Sequence, residues 1–346
     1  MAGNFVQLHN HTHYSLLDGA SKVPDLVKRV KELGMPAVGI TDHGNMHGAY
    51  ELWRAAVDSG VKPIIGIEAY VTPETARQDK TRVSWDTNWT PVPGHARNPD
   101  DVSGGGLITH LTMWAENDEG LVNLIKASSV ANLEGRVMRY PRMDKEVLST
   151  YSKGVIASSG CPSGIIQTRL RLGQFDEALR AAGEFQDIFG KDNFYIELMD
   201  HGLSIESKVT GDLLTIAKKL GAPLLATNDS HYVMEADKDA QDAMLCINSG
   251  ATLDDPNRFK FEGSGYYIKS AEEMRELFKD HPDACDNTLE IAERCNVIFD
   301  DHEDGAFMPQ FDCPEGWDET SLFLKKVEEG LEKRYDGNPP MEVLKQ

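Results

Sequence analysis

The sequence predicts an α/β barrel. Short β-rich runs alternate with amphipathic segments through about residue 250, several amphipathic segments stop at a glycine, and 346 residues leave room for one large barrel. Seven runs read as strands: 5–9, 37–41, 63–71, 107–115, 154–159, 194–199 and 223–227. Between them lie the helical patterns VPDLVKRVKELG, GAYELWRAAVDSG, EGLVNLIKASSVAN, FDEALRAAGEFQDIFG and SIESKVTGDLLTIAKKLG. Strand followed by helix, repeated, implies parallel strands, and closure into a barrel is the economical arrangement.

Residues 73–106 interrupt the rhythm with a polar insert too long for an ordinary connection. Its Trp85 and Trp89 read as anchors of a surface loop or as a flap that stacks on a nucleobase. Beyond residue 270 the pattern turns helical (SAEEMRELF, ACDNTLEIAERC, TSLFLKKVEEGLEKRY), with a Pro/Gly/acid-rich connector. The expected organisation is a barrel over 1–270 and a helical extension over 271–346, too thin for a core of its own.

Composition narrows the class. Hydrophobic residues at 40% and charged residues at 26% are ordinary globular values. No apolar run approaches a membrane span, and the start lacks the pattern of a signal peptide, so a cytoplasmic protein without membrane contact is expected. Five scattered cysteines without a CxxC pair exclude a disulfide framework or zinc ribbon. A net charge of −21 works against nucleic-acid binding unless bound cations or a separate basic portion compensate.

The chemistry lies at the strand ends. His9 and His11 close the first run, with Asp18 following; Asp42-His43 closes the second; Glu68 sits on the third and His110 on the fourth. Cys161 follows the fifth, and Asp229-Ser-His231 follows the seventh. In a barrel the strand ends share one rim, and alternation places residues i and i+2 on one side, so HxH and DxH can each offer two ligands. Nine ligands exceed the four of a tetrahedral zinc, which implies two or three divalent ions. The Cys161 sulfur suits zinc or iron, while the imidazoles and carboxylates also suit manganese. His13, His47, Asp200 and His201 are candidates for substrate contact or ligand support, and His95, His281 and His302 read as solvent-facing.

Taken together, HxH with a downstream Asp, TDH, a strand Glu, a lone His, SxGC and NDxH resemble the PHP (polymerase and histidinol phosphatase) superfamily. Within it, HNHTHYSLLDGA, AVGITDHGNMHGAYE, PIIGIEAYV, GLVNLIKASS, SSGCPSG and TNDSHYV resemble the N-terminal domain of bacterial C-family replicative polymerases, the DNA polymerase III alpha-subunit type. The resemblance covers about residues 4–270, and the tail is similar to that family's lead-in to the polymerase module.

The resemblance implies a distorted seven-stranded barrel and a trinuclear centre held by His9, His11, Asp18, His43, Glu68, His110, Cys161, Asp229 and His231, with Asp18, His43 and Asp229 serving catalysis. It further implies a metal-dependent 3′–5′ exonuclease that proofreads during DNA replication. The implied partners are a DNA 3′ end, the remainder of the polymerase alpha subunit and other replisome subunits. An intact ligand set favours catalysis over a vestigial scaffold. Competing expectations are a small-molecule phosphatase of the histidinol-phosphate type and a metal-stabilised replisome platform. A metallo-amidohydrolase shares the first HxH but fits Cys161 and the late DxH poorly.

Overall fold

Helices form where apolar residues recur at helical spacing. In α1 (Val23–Glu32) the buried Val23, Leu26, Val27 and Val30 make one stripe, and in α2 (Ala49–Ser59) Ala49, Leu52, Trp53 and Ala56 do the same. Gly60, at φ +71, closes α2 in the left-handed conformation that a side chain resists. The computed structural model describes residues 5–86, 98, 105–299 and 309–345; Trp89, His95 and His302 lie outside these.

Further along the chain come α3 (Asp118–Glu134), α4 (Lys145–Thr150), α5 (Ile165–Arg171), α6 (Phe175–Phe189), α7 (Ser204–Leu220) and α8 (Lys238–Ser249). They are followed by α9 (Ala271–Leu277), α10 (Pro282–Arg294), α11 (Glu319–Tyr335) and α12 (Met341–Leu344). Among the described residues no helix is long and apolar enough to cross a membrane.

The strands are β1 (Ala37–Ile40), β2 (Lys62–Val71), β3 (Thr109–Ala115), β4 (Arg142–Met143), β5 (Val155–Ser158), β6 (Phe194–Leu198) and β7 (Leu224–Ala226). They form one curled sheet in the order β1-β2-β3-β5-β6-β7, with β4 paired to β2 off that path. The first expected strand is not a regular one. Gln7 bridges Val38 and Asn10 bridges Ser230, so this irregular segment lies between β1 and the turn after β7 and draws the sheet into a distorted barrel. His11 N donates to Ser230 O at 2.8 Å, and Gly39 N donates to Gln7 O at 2.7 Å.

Two pairings depart from the all-parallel expectation. β3 runs antiparallel to β2 and to β5, with Glu68 opposite Thr112 and Thr112 opposite Ser158. The cause is the insert between β2 and β3, which supplies no crossover helix in its described part to return the chain to the starting edge. That described part is packed down. Trp85 is buried under the Arg169 guanidinium, 4.1 Å from the ring centroid, and Gln174 Nε2 donates to Trp85 O at 2.8 Å. Trp85 is therefore an anchor, not a nucleobase flap.

The boundary also moves. The chain divides into two compact units, Met1–Phe299 and Asp300–Gln346, so α9 and α10 belong to the barrel and not to an extension beginning at 271. α10 and its C-cap plug the barrel floor: Ile291 and Ala292 of the helix and Cys295 just after it pack with Val6, Leu8, Ile64, Trp114, Ile156, Tyr195 and Leu225. The second unit carries α11 and α12.

Candidate metal centre

Strand alternation builds the site directly above this apolar floor. Two residues from the floor come Thr112 (before Trp114), Ser158, Glu197 and Thr227, and on β2 Glu68 stands four past Ile64, with Gly66 between, all buried. One further step back along β3 is His110. Because β3 is antiparallel, its amino end reaches the rim where the other strands present their carboxyl ends.

The protein fixes the histidine rings through their Nδ1 atoms. His9 Nδ1 faces Glu197 Oε1 at 2.7 Å, and that carboxylate also accepts from Thr227 Oγ1 at 2.5 Å and from Ser158 Oγ. His11 Nδ1 lies 2.9 Å from Ser15 Oγ, whose own proton goes to Asp42 Oδ1 at 2.6 Å, so the ring must be the donor. His231 Nδ1 donates to the Asp229 carbonyl at 2.7 Å, in a turn that holds Asp229 at φ +43. In all three the Nε2 lone pair is left for the centre, which is how ligating histidines are oriented. Asp42 also accepts from Thr12 N and Thr12 Oγ1 at 2.7 and 2.8 Å, tying down the turn after HxH. Gly44 of the TDHG motif, at φ +63, lets Tyr70 pack close; a Cβ there would meet its ring at 2.7 Å.

Glu68 stands in the middle. Its Oε1 lies 3.1 Å from His110 Nδ1 and 3.5 Å from His9 Nε2, and its Oε2 lies 2.6 Å from His43 Nδ1 and 3.5 Å from His11 Nε2. Asp229 Oδ1 is 3.0 Å from His11 Nε2 and 3.3 Å from His9 Nε2. Asp18 Oδ2 is 3.0 Å from His43 Nε2 and 4.0 Å from His231 Nε2. Cys161 Sγ lies 3.4 Å from His110 Nδ1. All nine expected ligands therefore converge.

Apart from His43 Nε2 with Asp18 Oδ2 and Cys161 Sγ with His110 Nδ1, these close contacts are not hydrogen bonds. His9 Nε2, His11 Nε2, Asp18 Oδ1, His43 Nδ1, both Glu68 oxygens, Asp229 Oδ1 and His231 Nε2 are buried without a hydrogen bond. Orphaned acceptors at such density are costly unless cations lie among them, so the donor set fits divalent metal. Among the described residues three groups have ligand atoms within 4.8 Å of one another: His11, His43 and His231; His9, His11 and Asp229; His43, Glu68 and His110. The groups share His11 and His43. Asp18 and Cys161 stand outside them, each against a member.

The fields run in opposite senses across the cluster. Burial, then the neighbouring His43 and His231, lowers His11 to about 3. Burial also opposes protonation of His9, but Asp229 and Glu197 outweigh it and raise that imidazole well above its ordinary value. His43 is raised likewise, burial being overcome by Tyr70 and Glu68. Glu68 and Asp229 are buried yet lowered, the first by His110 and His43, the second by His9 and His231. Asp18, for which burial is offset by His43 and His231, falls to about 2. Burial, with Glu68 and Asp229 adding, pushes the Cys161 thiol up, an effect that a nearby cation reverses.

Of the supporting candidates, His201 is held fast: Nδ1 meets Glu206 Oε1 at 2.6 Å, Nε2 meets Asn228 O at 2.9 Å, and the ring stacks on Tyr266. It braces the turn that carries Asp229. His13 is half-buried and packs on Tyr14, with its Nδ1 unbonded. His47 and Asp200 are exposed; Asp200 Oδ1 accepts from Gly202 N at 2.9 Å, so its carboxylate caps its own turn. His281, expected in solvent, is half-buried at the start of α10. Sequence reasoning missed Glu197, although a lone Glu inside the apolar strand FYIEL is a visible signal.

Comparison with known proteins gives the family. The PHP domain model matches residues 7–201. DNA polymerase III subunit alpha of Mycobacterium leprae (strain TN) is 51% identical over 338 residues, covering 97% of this chain and 28% of that protein. The Mycobacterium tuberculosis (strain ATCC 25618 / H37Rv) protein of that name is 50% identical over the same length and shares of each chain. The Borreliella burgdorferi protein is 39% identical over 335 residues, covering 96% and 27%. The chain thus spans little more than a quarter of the length of these relatives. With the match extending over more than half of its residues, this chain belongs to the PHP domain family.

Proposed function

We propose that the chain is the N-terminal PHP domain of a bacterial DNA polymerase III alpha subunit, acting in the cytoplasm as a metal-dependent 3′–5′ exonuclease that proofreads DNA. The observation that carries this is the set of orphaned, buried ligand atoms around Glu68, which calls for two to three divalent ions (zinc, manganese or iron) at a barrel rim. Identity of about one half to polymerase alpha subunits supports DNA as substrate, with the rest of that subunit and other replisome subunits as partners.

Bound ions supply Lewis acidity to an attacking water and to the scissile phosphate. His9, His11 and His231 hold their lone pairs inward through Nδ1 contacts and, with Glu68, which has two histidines near each oxygen, would hold the ions. Asp18, at 20% side-chain exposure, is the most open carboxylate of the set, and His43 keeps it ionised. It is placed to take the proton of the attacking water. His43 and Asp229, at 14% and 13%, are the next to reach substrate together with His110.

The test is a time course on duplexes with matched or mismatched 3′ ends, labelled at the 5′ end, with and without chelator. Stepwise loss from the 3′ end, faster on mismatches and abolished by chelator, supports the proposal. Digestion from the 5′ end, internal cutting or chelator-resistant cleavage overturns it. Complete burial of His9, His11 and Glu68 favours a second reading, in which the ions only brace the barrel. There chelation melts the fold at the same metal level that activity disappears.

A further inference from the structure

The geometry points to a platform for unpaired DNA beside the metal centre, formed by Arg139 and Tyr140; it rests on the nucleic-acid reading above. β4 pairs with β2 through Tyr70 opposite Arg142 and Val71 opposite Met143. That pairing holds the preceding tight hairpin, in which Val137 and Tyr140 exchange backbone hydrogen bonds at 3.0 Å, against the end of the strand that carries Glu68. The rings make a continuous path. Tyr140 meets Tyr70 edge-on at 5.0 Å, and Tyr70 lies 5.3 Å from His110 and 6.0 Å from His43.

The hairpin's charge is out of keeping with the chain. Acidic residues outnumber basic ones 56 to 35, yet Arg136 and Arg139 are exposed and pair with no carboxylate among the described residues. The Arg139 guanidinium sits 5.3 Å above the Tyr140 ring. Its Nη1 also meets Asn248 Oδ1 on α8, and Asn248 Nδ2 donates to Leu17 O at 3.2 Å in the loop that leads to Asp18. The hairpin and the Asp18 loop therefore frame one mouth. At its tip, Met138 is 73% exposed and held at φ +55, where a side-chain-bearing residue is strained.

An aromatic ring backed by arginine suits a single strand: every base offers a face for stacking, and one guanidinium answers one phosphate. Tyr140 takes a base near the 3′ terminus while Arg139 turns from Asn248 to the adjoining phosphate, and the terminal phosphodiester reaches the ligands beyond Tyr70. In a duplex every internal base is stacked on both faces, whereas an unpaired strand frees them, so the platform favours frayed ends.

Binding is read with the metal-loaded full chain, by fluorescence anisotropy of a 5′-labelled, cleavage-resistant phosphorothioate oligothymidylate of about twelve nucleotides. Tyr140→Ala should weaken binding on the order of tenfold and Tyr140→Phe by less than about twofold. Arg139→Gln should flatten the salt dependence by about 0.7 in log–log slope, one phosphate's worth for a single strand. A second arm compares kcat/KM for the oligonucleotide with that for bis(p-nitrophenyl) phosphate, and the ratio should fall in Tyr140→Ala. Should that variant melt early, the exposed Arg139→Gln carries the test. Wild-type affinity and an unchanged ratio in the variants, or no binding by the wild type, overturn the platform. Loss of binding in the variants of a chain that hydrolyses neither substrate keeps the platform and removes the hydrolase reading.

Discussion

His9 Nδ1 and Glu197 Oε1 lie 2.7 Å apart, both side chains fully buried, and Thr227 and Ser158 donate to the same carboxylate. Glu197 thus lies behind His9 and decides which of its nitrogens would face a metal ion. Glu197→Gln keeps the shape and removes the charge. We expect metal affinity to fall roughly 10–100-fold, as for other supporting residues of ligating histidines, with the fold retained in excess metal. Chelator competition beside thermal melting checks this; unchanged affinity sinks it.

The ions themselves can be counted. Nine candidate ligands, seven of them in groups that share His11 and His43, exceed the demand of one ion, so elemental analysis after metal-replete dialysis should give more than one transition metal per chain. One or none contradicts the arrangement.

Metal uptake should release protons, and affinity should climb with pH. The sign follows from the shifts: His9 and His43 are raised, so without metal they hold protons at neutral pH that an incoming ion must displace. His11, lowered to about 3, is already neutral and adds no pH dependence above that value. Calorimetry at pH 7 in buffers of different ionisation enthalpy reads the protons released. Zero release, or affinity falling as pH rises from 6 to 8, disproves the assignment.

Asp18→Asn and Asp229→Asn each replace an anionic ligand by a neutral amide of the same shape, and Asn tolerates the left-handed backbone at position 229. Nuclease rate should drop by more than the roughly 100-fold upper range of a supporting residue. Melting temperature in metal should stay within a few degrees. Parallel loss of both favours the bracing reading.

Arg142 is fully buried and, among the described residues, donates only to carbonyls, those of Gly135, Leu107, Arg77 and Asp79, at 2.7 to 3.3 Å. It ties the base of the insert to β4. Arg142→Met fills the space but leaves these carbonyls dry, at about 1–3 kcal/mol for each one that water does not reach. Urea unfolding should show a stability loss of about 3 kcal/mol or more, with earlier proteolysis near residues 77–86. Wild-type stability contradicts this account.

What the sequence by itself determined was the inventory and its spacing: strand rhythm, most helices, and metal-competent groups recurring at strand ends. Those signals are local. Sequence spacing alone keeps His9 near His11 and Asp229 near His231, and a glycine after a helical stripe marks its end. Strand direction and packing are not local. The amino end of β3 carries His110 to the rim only because β3 pairs antiparallel with β2 and β5, a choice made by long-range hydrogen bonding. The same holds for Trp85 beneath Arg169 and for α10 beneath the barrel floor, which moved the unit's end from 270 to 299. Glu197 was visible as a misplaced charge in an apolar strand, but its role depends on His9, 188 positions away. Ring orientation came last of all, since it requires each Nδ1 partner to be in place, and only the folded chain brings those partners together.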